Sequence, residues 1–315
     1  MNNKKGALEI SFGWLFAIIA GVFIIFLAIY FATKLFGTEK ETIVAKTGKE
    51  IGILLNPLEI SFEAAKTVSI TMPADTRIYN ICDNKGVFGK QLVQLSQKSF
   101  NKWTDTDIKT TFYNKYIFSE KQTEGTTFYF FSKPFDFPFK VADLLYMTSA
   151  KQRYCFVNPP SDVREEISLL QQDNLLTQNC LDTNIRVCFN SNSNCDIDVD
   201  YESGIVEKNG TDMSFVISGE ENDENALMYA AIFSTPEVYE CQVKRLMQRL
   251  KELSLLYKDK ESIAEGKGCG NEVGSSLIEL SNIANQLSSS RELESIKSIV
   301  NSVNSQNKIA KCTLW

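Results

Sequence analysis

Acids and cysteines carry the chemical potential of this chain, because its 315 residues include no histidine. That absence removes the Ser-His-Asp and Cys-His nucleophile systems and every metal site built on imidazole. The densest acidic run is Asp196-Ile-Asp198-Val-Asp200-Tyr-Glu202, and Glu207 stands at the twelfth position counted from Asp196. A calcium loop takes oxygen ligands at its positions 1, 3, 5 and 12, so Asp196, Asp198 and Asp200 are candidate Ca²⁺ ligands. The sixth position of such a loop turns sharply on glycine, and here it is Tyr201. Ile197, Val199 and Tyr201 alternate with the acids, which instead suits an edge strand with an acidic outer face. Apart from Ca²⁺, no cofactor is implied. Paired carboxylates could also hydrolyse a glycosidic bond, but no motif fixes two of them at the spacing that reaction needs. Neither a Walker loop nor a GxGxxG motif is present, and no catalytic motif is recognisable, so a non-enzymatic role is expected.

Eight cysteines without a CxxC pair read as disulfides and not as a zinc site. If residues 236–315 form an antiparallel helical hairpin, the second helix returns Cys312 to Cys241, and that bridge is expected. Cys188 and Cys195 are expected to close a short loop, and Cys82 is paired with Cys155 on the premise of adjacent strands. Cys180 and Cys269 are left without partners. One glycosylation sequon, Asn209-Gly210-Thr211, agrees with a domain outside the cytoplasm.

These groups sit on a chain that begins with a membrane signal. Residues 12–32 are 21 amino acids without a charge, about 31 Å as a helix, against a hydrocarbon core of about 30 Å. Lys4 and Lys5 precede the run and Lys34 follows it, with Trp14 and Tyr30 near its ends. A secretory signal is the competing reading, but its apolar region is only about 7–15 residues. A single transmembrane helix over 12–33 is therefore expected, with residues 1–11 cytoplasmic and the C-terminal domain extracytoplasmic. Gly13, Ala17 and Gly21 fall on one stripe, a small-residue spacing that favours self-association in lipid.

Lys4-Lys5-Gly6 followed by Ala7-Leu8-Glu9 and the apolar run resembles the prepilin-type (class III) signal of archaeal type IV pilin-like proteins. The resemblance covers about the first 55 residues. It implies cleavage after Gly6, Ala7 as the new first residue, and retention of the apolar helix for packing in a filament core. Residues 34–57 extend this as an amphipathic juxtamembrane helix, with Val44, Ile51, Leu54 and Leu55 near helical spacing before Asn56-Pro57.

Beyond the stalk, residues 58–112 read as β-rich and 113–235 as an α/β core. Thr126–Phe131, Arg153–Val157 and Asn184–Phe189 read as strands, with a short helix at Phe139–Met147 and another capped at Ser161. Residues 161–225 hold fifteen acids against three bases, a local charge of −12 inside an overall charge of −6. Thr235-Pro236-Glu237 opens the C-terminal helices. The expected fold class is α+β: a mixed α/β sheet core with a C-terminal helical hairpin, carried on one transmembrane helix. A pI near 5.1 argues against a nucleic-acid binder, so no nucleic-acid partner is expected. The expected partners are the lipid bilayer, a second copy through the transmembrane helix, and a protein of unspecified kind. The reading of function is a membrane-anchored surface protein working by binding or assembly, such as a pilin-like filament subunit. The alternative is a ligand- or Ca²⁺-sensing ectodomain, and after it a carboxylate-based surface hydrolase.

Overall fold

The computed structural model describes residues 13–32, 34, 67–99, 102–190, 194–217, 225–269 and 273–315. The chain divides into two units, Met1–Thr47 and Gly48–Trp315. In the first, helix α1 (Gly13–Ala32) has 20 residues and a mean hydropathy of 2.8, long and apolar enough to cross a membrane; a signal sequence has the same properties. The expected amphipathic helix over 34–57, and the candidate processing residues Gly6 and Ala7, lie outside the described residues apart from Lys34.

The second unit is a mixed α+β fold built on two mixed six-stranded sheets. The first contains β1 (Val68–Asp83), β2 (Lys90–Ser99), β3 (Lys102–Phe112), β4 (Tyr116–Phe118), β5 (Gln122–Asp136) and β6 (Lys140–Ser149), in the order β3-β2-β1-β5-β6-β4. Only β4 and β6 run parallel. The division expected at residue 112 thus falls inside one sheet. Of Phe139–Met147, expected as a helix, all but Phe139 lies in β6 and pairs antiparallel with β5. Both faces of β6 are buried, so its sequence lacks the alternation that marks a half-exposed strand.

This sheet curls until β4, the strand at one of its ends, comes back against β1. The main-chain N–H of Asn80 on β1 donates to Lys121 O at 2.9 Å, and its side-chain amide donates to Ile117 O at 3.0 Å and Ser119 Oγ at 2.8 Å. Alternation along the strands then gives each face its own core. Ile78, Val93, Leu95, Ile117, Phe128, Phe130, Leu145 and Met147 are buried but stand apart from the main apolar cluster. The cross-strand pairs Ile78–Leu95, Ile117–Leu145 and Phe130–Met147 put them on the inner face of the curl. Phe131, Phe135, Tyr146, Tyr116 and Phe118 belong to the other face and to the main core.

The second sheet contains β7 (Tyr154–Val157), β8 (Leu175–Leu176), β9 (Ile185–Phe189), β10 (Ile197–Asp200), β11 (Ile205–Lys208) and β12 (Thr211–Ser214), in the order β12-β11-β10-β9-β7-β8. Helix α2 (Ser161–Leu170) links β7 to the parallel β8, a βαβ unit, and β7, β9 and β10 are also parallel neighbours. Asp196–Tyr201 was expected to be an edge strand, but β10 lies between β9 and β11, and the edges are β12 and β8. Ile197 and Val199 have almost no exposed surface, so an interior place in the sheet accounts for their alternation equally well.

Helix α3 (Ala226–Phe233) is buried along its whole length and touches strands of both sheets. Its sequence ALMYAAIF is apolar on every side, as a helix enclosed by sheets must be. Helix α4 (Pro236–Glu265) starts where Thr235 Oγ1 accepts from Val238 N, with proline at its first position. The expected second helix of the hairpin is two helices, α5 (Gly274–Gln286) and α6 (Leu293–Ile309), parted by a 3₁₀ turn at Ser290–Glu292. The serines at 288–290 cause the break. Ser288 N and Oγ both donate to the carboxylate of Glu292, and the Ser290 N–H donates to Glu240 Oε2 at 2.8 Å.

Candidate functional site

Helix α4 closes one end of the curled sheet, and the closure is polar. Gln91, Asn80 and Gln242 are buried; Gln91 donates to Asn80 Oδ1 and accepts from Gln242 Nε2, and Gln242 also donates to Ile117 O at 3.0 Å. Arg245, one turn on, is fully buried. It donates to Phe88 O at 3.1 Å, Tyr113 O at 3.1 Å, Lys115 O at 2.9 Å and Gln242 Oε1 at 2.8 Å, and it lies over the Tyr116 ring. Four carbonyl-type acceptors meet the donors of one guanidinium, which offsets its desolvation. Burial still pulls the Arg245 pKa below its ordinary value. The disulfide Cys82–Cys241 fastens the same end, with Cα atoms 6.1 Å apart.

Beside this closure lies a cavity of about 330 Å³, lined by residues of β1, β2 and the start of α4, including Tyr79, Ile81, Cys82, Gln94 and Val238. Lys121 and Glu237 also line it and pair with each other at 3.3 Å, and both are more than half exposed. Its volume is at the small end for a ligand pocket. The Glu237 carboxyl is held below its usual range, first by its own main-chain N–H and then by Lys121.

Two buried lysines show the same economy of charge. Lys208 donates to Ile232 O at 3.2 Å and Ser234 O at 2.9 Å at the C-terminal end of α3, and pairs with Glu120 at 2.6 Å. Lys133 on β5 pairs with Glu166 on α2, whose second oxygen accepts from Tyr229 Oη at 2.6 Å. These are joints between layers of the fold.

The candidate calcium ligands do not converge. Asp196 Oδ2 accepts from Arg186 N at 2.8 Å, and Asp200 Oδ1 accepts from Ser203 N at 2.9 Å, which holds the Asp200 carboxyl below its ordinary pKa. Among the described residues no group of three or more acidic or cysteine side chains could hold a metal ion. The sheet register places Asp198 opposite Glu207, and Glu207 opposite Asp212. These three carboxylates share the outer face in one row. The row is not legible along the chain, because Asp212 joins it only through the hairpin between β11 and β12. Among the described residues the carboxyls with displaced pKa values, Asp83, Asp200, Glu237 and Glu292, all move downward, the opposite of what a general acid needs.

All eight cysteines are bonded: Cys82–Cys241, Cys155–Cys180, Cys188–Cys195 and Cys269–Cys312. Two expected bridges are therefore corrected. Cys312 does not return to Cys241, because the break after α5 turns the chain round once more. It is Ser290 that reaches the Cys241 end of α4, through Glu240, and α6 carries Cys312 back to Cys269. Cys82 does not meet Cys155, because β1 and β7 belong to different sheets. Asn209 is exposed in the turn between β11 and β12. On α1, Gly13 and Ala17 are exposed and Gly21 is partly so, and a Cβ on either glycine would meet no atom within 4 Å.

The chain matches no protein-family model, no curated protein and no solved structure.

Proposed function

We propose that this chain is a single-pass membrane protein whose disulfide-bonded domain stands outside the cytoplasm and works by binding or assembly, as a pilin-like subunit does. The observation that carries the reading is the pairing of all eight cysteines, since a reducing compartment would keep such thiols free. The apolar helix α1 supports it as the anchor. In this reading the Gly13–Ala17–Gly21 stripe is where helices of neighbouring copies approach, and Gly6–Ala7 is the processed bond.

A second reading, a domain that senses a small ligand, draws on the cavity beside Lys121 and Glu237. Two measurements on the protein from the cells that make it test the first reading. N-terminal sequencing is expected to start at Ala7, and mass spectrometry without reduction is expected to find no alkylatable thiol. Eight free thiols would overturn the extracytoplasmic placement. An intact N-terminus with a monomeric protein would leave the anchor and remove the filament.

A further inference from the structure

We infer that Asn209 carries an N-linked glycan, displayed at the tip of the β11–β12 hairpin. The inference rests on the extracytoplasmic placement proposed above, and three observations of the hairpin carry it. Asn209 and Gly210 form its two-residue turn, closed by the Lys208–Thr211 pair, and their φ angles are 53° and 71°. Positive φ at both central residues is the type I′ requirement, and Asn-Gly is its preferred sequence. Such a turn presents the asparagine amide outward on a fixed backbone. Asn209, Gly210 and Thr211 are all exposed, and a Cβ added at Gly210 would meet nothing within 4 Å. The tip has room for a bulky substituent.

The turn is also held from beneath. Lys208, the residue before it, is buried and tied to the end of α3 and to Glu120. A glycan here would cost the fold no buried contact. The turn accounts for Asn209 and Gly210 but places no demand on Thr211. A hydroxyl two residues after asparagine is what the glycosyl-transfer acceptor adds to the turn sequence.

The reaction joins the Asn209 side-chain nitrogen to the anomeric carbon of a sugar donor activated by a phosphate-containing lipid leaving group. The new C–N bond replaces the donor's C–O bond. The phosphate departs with the electron pair, and the amide gives up one proton to a base of the transferase.

Peptide mapping of the full chain from the cells that make it tests the inference. The peptide containing Asn209 is expected to carry added sugar mass. Thr211→Val and Asn209→Asp, expressed in the same cells, are expected to lose all of it, and Thr211→Ser to keep it. Asp tolerates positive φ, and Val keeps a branched residue at the strand start, so both variants preserve the hairpin. A bare or merely deamidated Asn209 in a protein with four intact disulfides would overturn the glycan and leave the placement standing. A bare Asn209 together with free thiols would overturn both.

Discussion

The guanidinium of Arg245 donates to the main-chain carbonyl of Tyr113 at 3.1 Å across 132 residues of sequence. With Phe88 O and Lys115 O as further acceptors, Arg245 fixes the β1–β2 and β3–β4 loops against α4. Arg245→Met removes the cation and leaves these buried carbonyls unpaired. The expected loss is about 3–5 kcal/mol, from the cost of breaking a buried charged network. Asp259→Ala, at an exposed position of the same helix, is expected to stay within about 0.5 kcal/mol. Urea unfolding midpoints of the two variants check the contrast, and equal midpoints would show that the closure bears no load.

The four disulfides differ in the length of chain they close. Cys82–Cys241 spans 159 residues and Cys188–Cys195 spans 7. On the chain-entropy model these restrict the unfolded state by about 5 and about 2.4 kcal/mol. Replacing Cys82 and Cys241 together by serine is therefore expected to lower the melting temperature more than the Cys188, Cys195 double replacement. The first bridge also holds the N-terminal part of α4 to β1, so its loss should raise amide exchange in the first turns of α4. Uniform exchange in both variants would place the stabilisation wholly in the unfolded chain.

What the sequence disclosed, and what it hid, follows from how local each signal was. The strands at Thr126–Phe131 and Asn184–Phe189, the βαβ crossover and the start of α4 at Thr235-Pro236 each rest on a short pattern, and the fold realises each one. Strand β6 carries good helix formers in Ala142, Leu144, Leu145 and Met147. Burial on both faces outweighed that propensity. The bridges of Cys82 and Cys312 depended on which elements become neighbours in space. The three serines that end α5 redirected Cys312, and nothing near Cys82 in sequence announces α4. The closure of Asn80, Gln91, Gln242 and Arg245 was equally hidden, since two of its residues come from strands and two from a helix more than 150 residues later in the chain. Asn209 was legible as an acceptor, but its Asn-Gly turn and exposure belong to the hairpin.

Glu207 faces Asp198 on one side and Asp212 on the other. Like charges directly opposite each other across strands destabilise a sheet, with cross-strand pair effects of about 0.2–1 kcal/mol. Glu207→Gln is expected to raise stability by an amount in that range. The wild-type domain is expected to gain stability between low and moderate salt, as screening weakens the repulsion. A Glu207→Gln variant less stable than the wild type would mean that a cation or basic partner neutralises the row in the intact protein.

The pH profile of stability should be flat where most proteins vary. No histidine is present and every cysteine is bonded, so the chain lacks the side-chain types whose ordinary pKa lies between that of a carboxylate and those of tyrosine and lysine. The melting temperature is expected to be constant from about pH 6 to 9, apart from a small contribution of the terminal amine. On the acid side, Asp200 and Glu237 have folded pKa values below their unfolded ones. Their contribution is complete above the unfolded values and is lost as pH falls through the folded ones, so stability declines only below about pH 4–5. On the alkaline side the sign reverses. Burial raises Tyr154, Tyr229 and Tyr239 above the ordinary phenol value of 10.0. The stability they confer is complete below pH 10 and is lost as pH climbs toward their folded values. These three of the eleven tyrosines are expected to ionise only as the domain unfolds. Phenolate absorbance followed alongside far-ultraviolet circular dichroism checks this. Full ionisation of all eleven before loss of the dichroism signal would mean that the core around α3 admits water.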